Sequence, residues 1–235
     1  MTSDSLPRQM PLPIRLRASS VFNSYFPGPN AAVVNTLRDL TSTGPSPVLF
    51  LYGSSGVGKT HLLQALCARV NEQQPATYVP LRELHVLGSE LLSGAEQMPL
   101  VCVDDVGLIA QQLEWNRALF NLHRELEERG GKLVLADEQS PASIEWALRD
   151  LSSRVLAGTV LRLQPLAEPE QIIALRMHAE QRGLELSDEV ANFLLKRLPR
   201  DMHSLCDFLD ELDIASLTAQ RKLTVPFVKE VLGSG

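Results

Sequence analysis

The segment Gly53–Thr60 reads Gly-Ser-Ser-Gly-Val-Gly-Lys-Thr and fills the pattern G-x-x-x-x-G-K-[ST] without exception. A short apolar run at 48–52 precedes it, and apolar residues spaced three and four apart follow it over 61–70. We therefore predict a strand before the segment and a helix after it. Glycines in such a turn let backbone N–H groups face phosphate oxygens, and the helix N-terminus adds partial positive charge. The alternative is a Gly/Ser turn that matches by chance, and the flanking strand and helix disfavour it.

The residues of this phosphate loop have distinct expected contacts. The Lys59 ammonium is expected to reach the β- and γ-phosphates, and the Thr60 hydroxyl is expected to hold Mg²⁺. The expected ligand is a nucleoside diphosphate or triphosphate. The predicted nucleotide-binding residues of this region are Gly53, Ser55, Gly56, Val57, Gly58, Lys59, Thr60 and His61.

The composition narrows the class of protein. A chain of 235 residues with 44% hydrophobic content can bury the core of one large or two small domains. The net charge of −6 gives no overall basic surface for nucleic acid. The three cysteines lie far apart without a C-x-x-C pair, so neither a zinc site nor a disulfide framework is expected. Apolar stretches are too short for a membrane span, and the N-terminus lacks the apolar core of a signal peptide, so we expect a cytoplasmic protein.

The order of predicted elements indicates three regions. Residues 1–20 are rich in Pro and Ser and are expected to form a flexible tail. In region 21–164, strands and helices alternate, which predicts an α/β fold with a parallel five-stranded sheet covered on both faces. Region 165–235 contains only helical patterns and is expected to form a small all-α domain. The predicted strands are 48–52, 76–80, 99–104, 132–136 and 159–163, and a weaker helical stretch is predicted at 81–93.

Acidic residues follow two of the predicted strands. Asp104 is expected to orient water on Mg²⁺, and Asp105 could polarise the attacking water as a general base. A solvated acidic turn is the alternative interpretation for this pair. Asp137 and Glu138 leave the next strand where a γ-phosphate would lie, and one of them is expected to sense it. The sequence does not decide which, and capping of a turn is the alternative role.

The whole pattern resembles the DnaA family of AAA+ proteins, and it is similar to the Hda branch of that family over nearly the full chain. This resemblance implies an AAA+ nucleotide-binding domain, an α-helical lid and a bound adenine nucleotide with Pro27 on its adenine side. DnaA initiators continue past the lid into a DNA-binding domain, and no such domain follows here, so we expect a regulator. The segments that carry the resemblance are 22–30, 53–60, Asp104-Asp105, 151–154 and 215–230.

The resemblance also implies roles for single residues outside the loop. Arg154 occupies the place of an arginine finger, which would act in trans on ATP bound by DnaA. Local pairing with Asp150 is the alternative. A lid arginine of the family touches the nucleotide phosphates, and here His203 takes its place, while Arg200 three residues earlier could reach in instead.

The tail carries a second expected binding site. Its sequence resembles the short Q-x-x-L-x-[LI] peptide by which bacterial proteins bind the β sliding clamp of DNA polymerase III. Prolines favour an extended form and reduce the entropy lost on binding. DNA would be contacted only indirectly, through the clamp. The predicted clamp-binding residues are Gln9, Met10, Leu12, Pro13 and Ile14.

Together these features predict a negative regulator of replication initiation. With the DNA-loaded clamp it would promote hydrolysis of DnaA-bound ATP through Arg154 and leave DnaA in its inactive ADP form. Its own nucleotide would act mainly as a conformational ligand, with weak turnover. The alternative is an autonomous AAA+ ATPase that remodels or loads a replication protein. Homo-oligomerisation stays open, and no membrane partner is expected.

Overall fold

The computed structural model describes residues 20–40, 48–199 and 201–233. Its centre is a parallel sheet with the spatial order β2-β3-β4-β1-β5, so the predicted five-stranded parallel sheet is confirmed. Short strands of mostly β-branched and other apolar residues, buried on both faces, are typical of such sheets. The strands are β1 Val48–Tyr52, β2 Ala76–Pro80, β3 Leu100–Asp104, β4 Lys132–Asp137 and β5 Thr159–Arg162.

The strand register brings the predicted site residues to one edge. Tyr52 at the end of β1 pairs with Asp137 of β4, and Pro80 at the end of β2 pairs with Asp104 of β3. Parallel strands place their carboxyl ends at the same edge, which is where ligands bind in open α/β sheets. The phosphate loop, Asp104 and Asp137 therefore meet at this edge.

Alternation of side chains along the strands produces one core on each face of the sheet. In β1, Phe50 packs into the core that contains Trp115 of the long helix α4 (Leu113–Arg129). Leu51 packs into the opposite core, which contains Leu62 of the helix that follows the phosphate loop. β1 is thus buried on both faces. The phosphate loop begins where this buried strand ends.

The helices of the sheet domain flank these cores. Helix α2 begins at Lys59, directly after Gly58, and α4 ends at Gly130, which has the left-handed φ of 74° that suits a helix C-terminus. The helices before the lid are α1 Ala31–Arg38, α2 Lys59–Asn71, α3 Leu81–Leu84, α4 Leu113–Arg129 and α5 Arg149–Ala157.

The predicted helix over 81–93 is wrong in extent. Only α3 is α-helical, for one turn, and 3₁₀ turns continue the segment at His85–Leu87, Ser89–Leu92 and Ala95–Gln97. The physical reason is Gly88, whose φ of 91° and ψ of 165° interrupt any helix that reaches it.

The remaining helices pack around a separate core and form the lid. The last three of them begin with side-chain caps at Ser187, Asp201 and Thr224, each of which accepts a hydrogen bond from the N–H three residues further along. No helix within the described residues is long and apolar enough to cross a membrane. The lid helices are α6 Glu168–Glu180, α7 Asp188–Arg197, α8 Met202–Ala219 and α9 Val225–Leu232.

Candidate nucleotide site

The phosphate loop connects β1 to α2 and holds a buried lysine. Lys59 is only 7% exposed. Its ammonium donates hydrogen bonds to the backbone oxygens of Gly53 at 2.8 Å and Ser54 at 3.1 Å. Burial lowers the pKa of Lys59, and nearby carboxylates, with Glu138 first, oppose that shift. These hydrogen bonds hold the Lys59 ammonium against the backbone of the loop, and carboxylates at the carboxyl ends of the strands lie nearby.

Asp104 lies next to the loop and is almost fully buried. Its Oδ2 accepts hydrogen bonds from the Thr60 hydroxyl at 2.6 Å and from the Tyr78 hydroxyl at 3.0 Å. Burial raises the pKa of Asp104, although both hydroxyl hydrogen bonds act in the opposite direction. Tyr78 was not identified from the sequence, because an aromatic residue in a strand carries no local sign of its partner across the sheet.

The donor set at this point fits Mg²⁺. This ion is usually bound by one or two protein oxygens together with phosphate oxygens and water. The Thr60 hydroxyl and the Asp104 carboxylate lie next to each other at the phosphate loop, and both can supply oxygen ligands. The described residues contain no group of three or more His, Cys, Asp or Glu side chains that could hold a metal without such help.

The carboxylate of Asp105, the expected general base, forms an ion pair with an arginine. Its carboxylate accepts from Arg82 Nε at 3.0 Å and from Arg82 Nη2 at 3.3 Å. Its backbone is left-handed, with φ 58° and ψ 44°. Arg82 belongs to α3 and was not identified from the sequence.

The two acids at the end of β4, Asp137 and Glu138, differ in their surroundings. Asp137 is 8% exposed and accepts from the backbone N–H of Gly107 at 2.7 Å and of Gln139 at 3.0 Å, so it caps a turn. Glu138 is exposed, and its charge makes the largest carboxylate contribution to the pKa of Lys59. Of the two, Glu138 is the exposed one, whereas both oxygens of Asp137 accept backbone hydrogen bonds.

The segment before α1 packs against the phosphate loop. The Tyr25 hydroxyl donates to the backbone oxygen of Val57 at 3.0 Å, and its ring lies so close to Gly58 that a Cβ there would be 2.5 Å from the ring. Burial raises the pKa of Tyr25 to about 12. The ring nitrogen Nε2 of His61 lies 3.0 Å from the backbone oxygen of Val21. Pro27 is half-buried in the same segment.

A small cleft separates this segment from the lid. The Gln181 amide donates to the backbone oxygen of Asn23 at 3.4 Å, and Arg182 forms an ion pair with Asp210 at 2.6 Å. The volume of this open cleft is about 450 Å³. It is lined by Val21, Asn23, Ser24, Gln181, Arg182 and Asp210.

A lid residue that was not among the predicted site residues contacts the phosphate loop. Asp201, at the N-terminus of α8, contacts Gly56. His203 is 62% exposed, and its Nε2 lies 3.3 Å from Asp207 Oδ2, one turn along the same helix. Arg200 lies outside the described residues, as does the expected clamp-binding segment Gln9–Ile14.

Arg154 lies in the last turn of α5 and is exposed. Within the part of the chain that the structure describes, its guanidinium has no hydrogen bond or ion pair, so the alternative pairing with Asp150 is not formed there. Burial lowers the pKa of His123 in α4, and the positive charge of Arg154 contributes to this shift. Arg154 therefore presents its charge to solvent beside α4.

Two family models match different parts of the chain. The model of the bacterial DnaA ATPase domain matches residues 16–85, and the model of the Hda lid domain matches residues 168–232. The chain is an AAA+ protein related to Hda and DnaA.

Solved structures of this class share its fold. Domain III of the replication initiation protein DnaA from Thermotoga maritima is 22% identical, with a TM-score of 0.79 over 94% of this chain and 98% of that chain. AMPPCP-bound DnaA from Aquifex aeolicus is 19% identical, with a TM-score of 0.72 over 87% of this chain and 67% of that one. A point variant of RuvB from Thermotoga maritima is 13% identical, with a TM-score of 0.57 over 80% of this chain and 61% of that one.

Proposed function

We propose that this Hda- and DnaA-related protein binds an adenine nucleotide and regulates DnaA in replication initiation. In this proposal it switches DnaA off by promoting hydrolysis of DnaA-bound ATP. The observation that carries the proposal is the exposed Arg154, whose guanidinium has no partner within the described residues. The match to the Hda lid model supports the assignment to DnaA regulation.

Nucleotide binding is supported by the geometry of the loop. Lys59, Thr60 and the buried Asp104 lie together where β1 and β3 end, and the related DnaA of Aquifex aeolicus has been solved with AMPPCP. Thr60 and Asp104 would hold Mg²⁺, which would neutralise phosphate charge. Glu138 is our choice over Asp137 for contact with the terminal phosphate region, because both Asp137 oxygens already accept backbone hydrogen bonds.

The proposed mechanism places Arg154 in the ATP site of DnaA. A guanidinium supplied in trans offsets charge that develops on the phosphoryl oxygens in the transition state. In comparable systems such an arginine raises the rate by about 10³- to 10⁵-fold. An arginine that already made ion pairs within its own chain would have to break them first, and Arg154 has none to break within the described residues.

The tail residues Gln9, Met10, Leu12, Pro13 and Ile14 are proposed to bind the β sliding clamp. Because the clamp encircles DNA only after loading, this contact would restrict DnaA inactivation to the period after replication has begun. DNA would be reached only through the clamp. Ser20, the first residue that the structure describes, is buried.

The direct test measures hydrolysis of DnaA-bound ATP with clamp-loaded DNA and this protein. The wild type should stimulate hydrolysis, and Arg154→Ala should abolish the stimulation while leaving clamp and nucleotide binding intact. Arg149→Ala, an exposed arginine in the same helix, is the matched control and should retain stimulation. Unchanged stimulation by Arg154→Ala would contradict the proposal. Rapid ATP turnover by the purified protein without DnaA would instead favour the autonomous ATPase.

A further inference from the structure

A buried asparagine near the start of α4 contacts the residue that precedes α5, the helix that carries Arg154. We propose that Asn116 is a positioning residue, which fixes the start of α5 and thereby the place of the Arg154 guanidinium. The inference rests on the proposed action of Arg154 and adds a second residue on which that action depends.

Asn116 joins two parts of the chain through its side-chain amide. It lies in the first turn of α4 and is 0% exposed. The amide oxygen accepts from the Leu148 N–H at 3.3 Å. The amide nitrogen donates to the backbone oxygens of Ile109 at 3.0 Å and of Ala110 and Gln112 at 2.9 Å. Because the carbonyls need a donor and the N–H needs an acceptor, this network admits one orientation of the amide.

The contact with Leu148 is the one that nothing else replaces. Each of the three carbonyl oxygens also accepts a backbone N–H. The Leu148 N–H, by contrast, has only Asn116 as its acceptor among the described residues. Loss of the side chain would therefore leave the N–H before α5 unpaired, and this cost favours movement of the chain there towards water. The other donors to the three carbonyls are the N–H groups of Gln112, Ala147 and Asn116.

Helix α5 is short and depends on contacts with the rest of the fold. It has nine residues, and helices of this length are marginal in isolation. Gly158 fixes its carboxyl end, because it packs so closely on β1 that a Cβ would lie 2.5 Å from the Val48 side chain. Leu151 fixes the side that faces the core. The amino end is held by the Asn116 contact and by the neighbouring hydrogen bond from the Ala147 N–H.

A shift at the amino end of α5 would reach Arg154. Arg154 follows Leu148 by six residues, which is about 9 Å along a helix axis. Its guanidinium has no hydrogen bond or ion pair within the described residues, so the helix backbone alone determines where it lies. A displacement of about 1 Å in a group that acts on a reaction can lower the rate about 100-fold. Asn116 would thus act through Arg154 and not on ATP directly.

The test measures hydrolysis of DnaA-bound ATP with clamp-loaded DNA over a range of concentrations of this protein. Asn116→Ala should lower the maximal stimulated rate about 10- to 100-fold. The concentration for half-maximal stimulation and the affinities for clamp and ADP should stay unchanged. A loss of stability alone would reduce the amount of folded protein, so it would raise the half-maximal concentration and leave the maximal rate unchanged.

Leu126→Ala is the matched control. Leu126 is also fully buried in α4, but it lies near the opposite end of that helix. Truncating a buried leucine lowers the melting temperature by roughly 5 °C or more in a chain of this size. Leu126→Ala should nevertheless keep the wild-type maximal rate. An equal loss of maximal rate in Leu126→Ala and Asn116→Ala would assign the effect to stability and overturn the inference.

Two further measurements apply if Asn116→Ala folds poorly. Asn116→Leu keeps a similar side-chain volume and removes the same hydrogen bonds, so it should show the same loss of maximal rate. In the wild type, hydrogen exchange followed by NMR should show a slowly exchanging Leu148 N–H, although this residue precedes the helix. Exchange there at the rate of an open chain would overturn the inference.

The Arg154 variant separates this inference from the proposed function. If Arg154→Ala abolishes stimulation while the folded Asn116 variants keep the wild-type maximal rate, only the role of Asn116 is overturned. If Arg154→Ala leaves stimulation unchanged, the proposed function fails, and the role of Asn116 fails with it.

Discussion

Asp201 of the lid lies directly against Gly56 of the phosphate loop. A Cβ placed on Gly56 would be 2.4 Å from the Cβ of Asp201, closer than real side chains approach, and 3.2 Å from its Cα. Asp201 caps α8 by accepting from the Ser204 N–H at 2.8 Å and from the Ser204 hydroxyl at 2.9 Å. The N-terminus of the lid helix is therefore fixed at the surface of the loop, and only glycine fits between them.

Gly56→Ala tests this contact. Gly56 has φ 76°, so alanine is strained there, and its new methyl group would also displace Asp201. We expect the variant to lose more than the roughly 1 kcal/mol that the left-handed backbone alone costs. Nucleotide affinity should fall as well. Urea unfolding and calorimetric titration with ADP measure the two effects.

Gly130→Ala is the matched control for this prediction. Gly130 has a nearly identical φ of 74°, but a Cβ there meets no heavy atom within 4 Å. It should show the backbone cost of about 1 kcal/mol and unchanged nucleotide affinity. Equal losses of stability in the two variants, with nucleotide affinity kept in both, would argue against the contact.

A second prediction concerns the buried Asp104, in the protein without nucleotide or metal. Because burial raises its folded-state pKa, the ionised carboxylate destabilises the fold once the pH exceeds the unfolded value near 3.8. Asp104→Asn removes this pH-dependent cost, which is absent below about pH 4, where the Asp104 carboxyl is protonated in both states. The free energy of unfolding of the variant relative to the wild type should therefore increase from pH 4 to pH 8. Urea unfolding across this range measures it, and a constant difference would contradict the burial argument.

A third prediction concerns His178 in the lid helix α6. Burial, together with the charges of His61 and Arg182, lowers its pKa to about 4, while Asp210 acts in the opposite direction. The unfolded chain takes up this proton near pH 6.5, so stability falls as the pH drops from 6.5 towards 4. His178 should account for roughly 2 kcal/mol of the loss between pH 7.5 and pH 5.

His178→Gln should remove that part of the pH dependence. Glutamine keeps a polar side chain of similar length but takes up no proton in this range. Urea unfolding of both proteins at pH 7.5, 6 and 5 gives the comparison. If the two proteins lose equal stability on acidification, His178 is not the group responsible.

A fourth prediction concerns the tail. Gln9→Ala combined with Leu12→Ala should abolish binding to the β clamp and leave the melting temperature unchanged. Anchor residues of such peptides contribute about 2 kcal/mol or more each, so the double variant should lose several kcal/mol of binding energy. Surface plasmon resonance on immobilised clamp gives the affinity. Wild-type affinity in the double variant would refute the assignment of the tail.

The sequence predicted the strands well because their signals are local. The predicted strands 48–52 and 76–80 match β1 and β2 at both ends, since short segments rich in apolar and β-branched residues favour strands. The region 81–93 was harder to predict. The spacing of its apolar residues suits a helix. Gly88 and the packing of α3 against β2 and β3 nevertheless break the segment into short helical turns.

The phosphate loop and the acids at the end of β3 were determined by the sequence itself, because the loop motif encodes its own backbone geometry and its position between a strand and a helix. What those acids contact was decided only by the tertiary structure. Tyr78 reaches Asp104, Arg82 reaches Asp105, and Asp201 reaches Gly56 across strand pairs or between domains. Such partners depend on strand order and lid docking, which arise from burial of apolar surface across the whole chain and leave no local pattern.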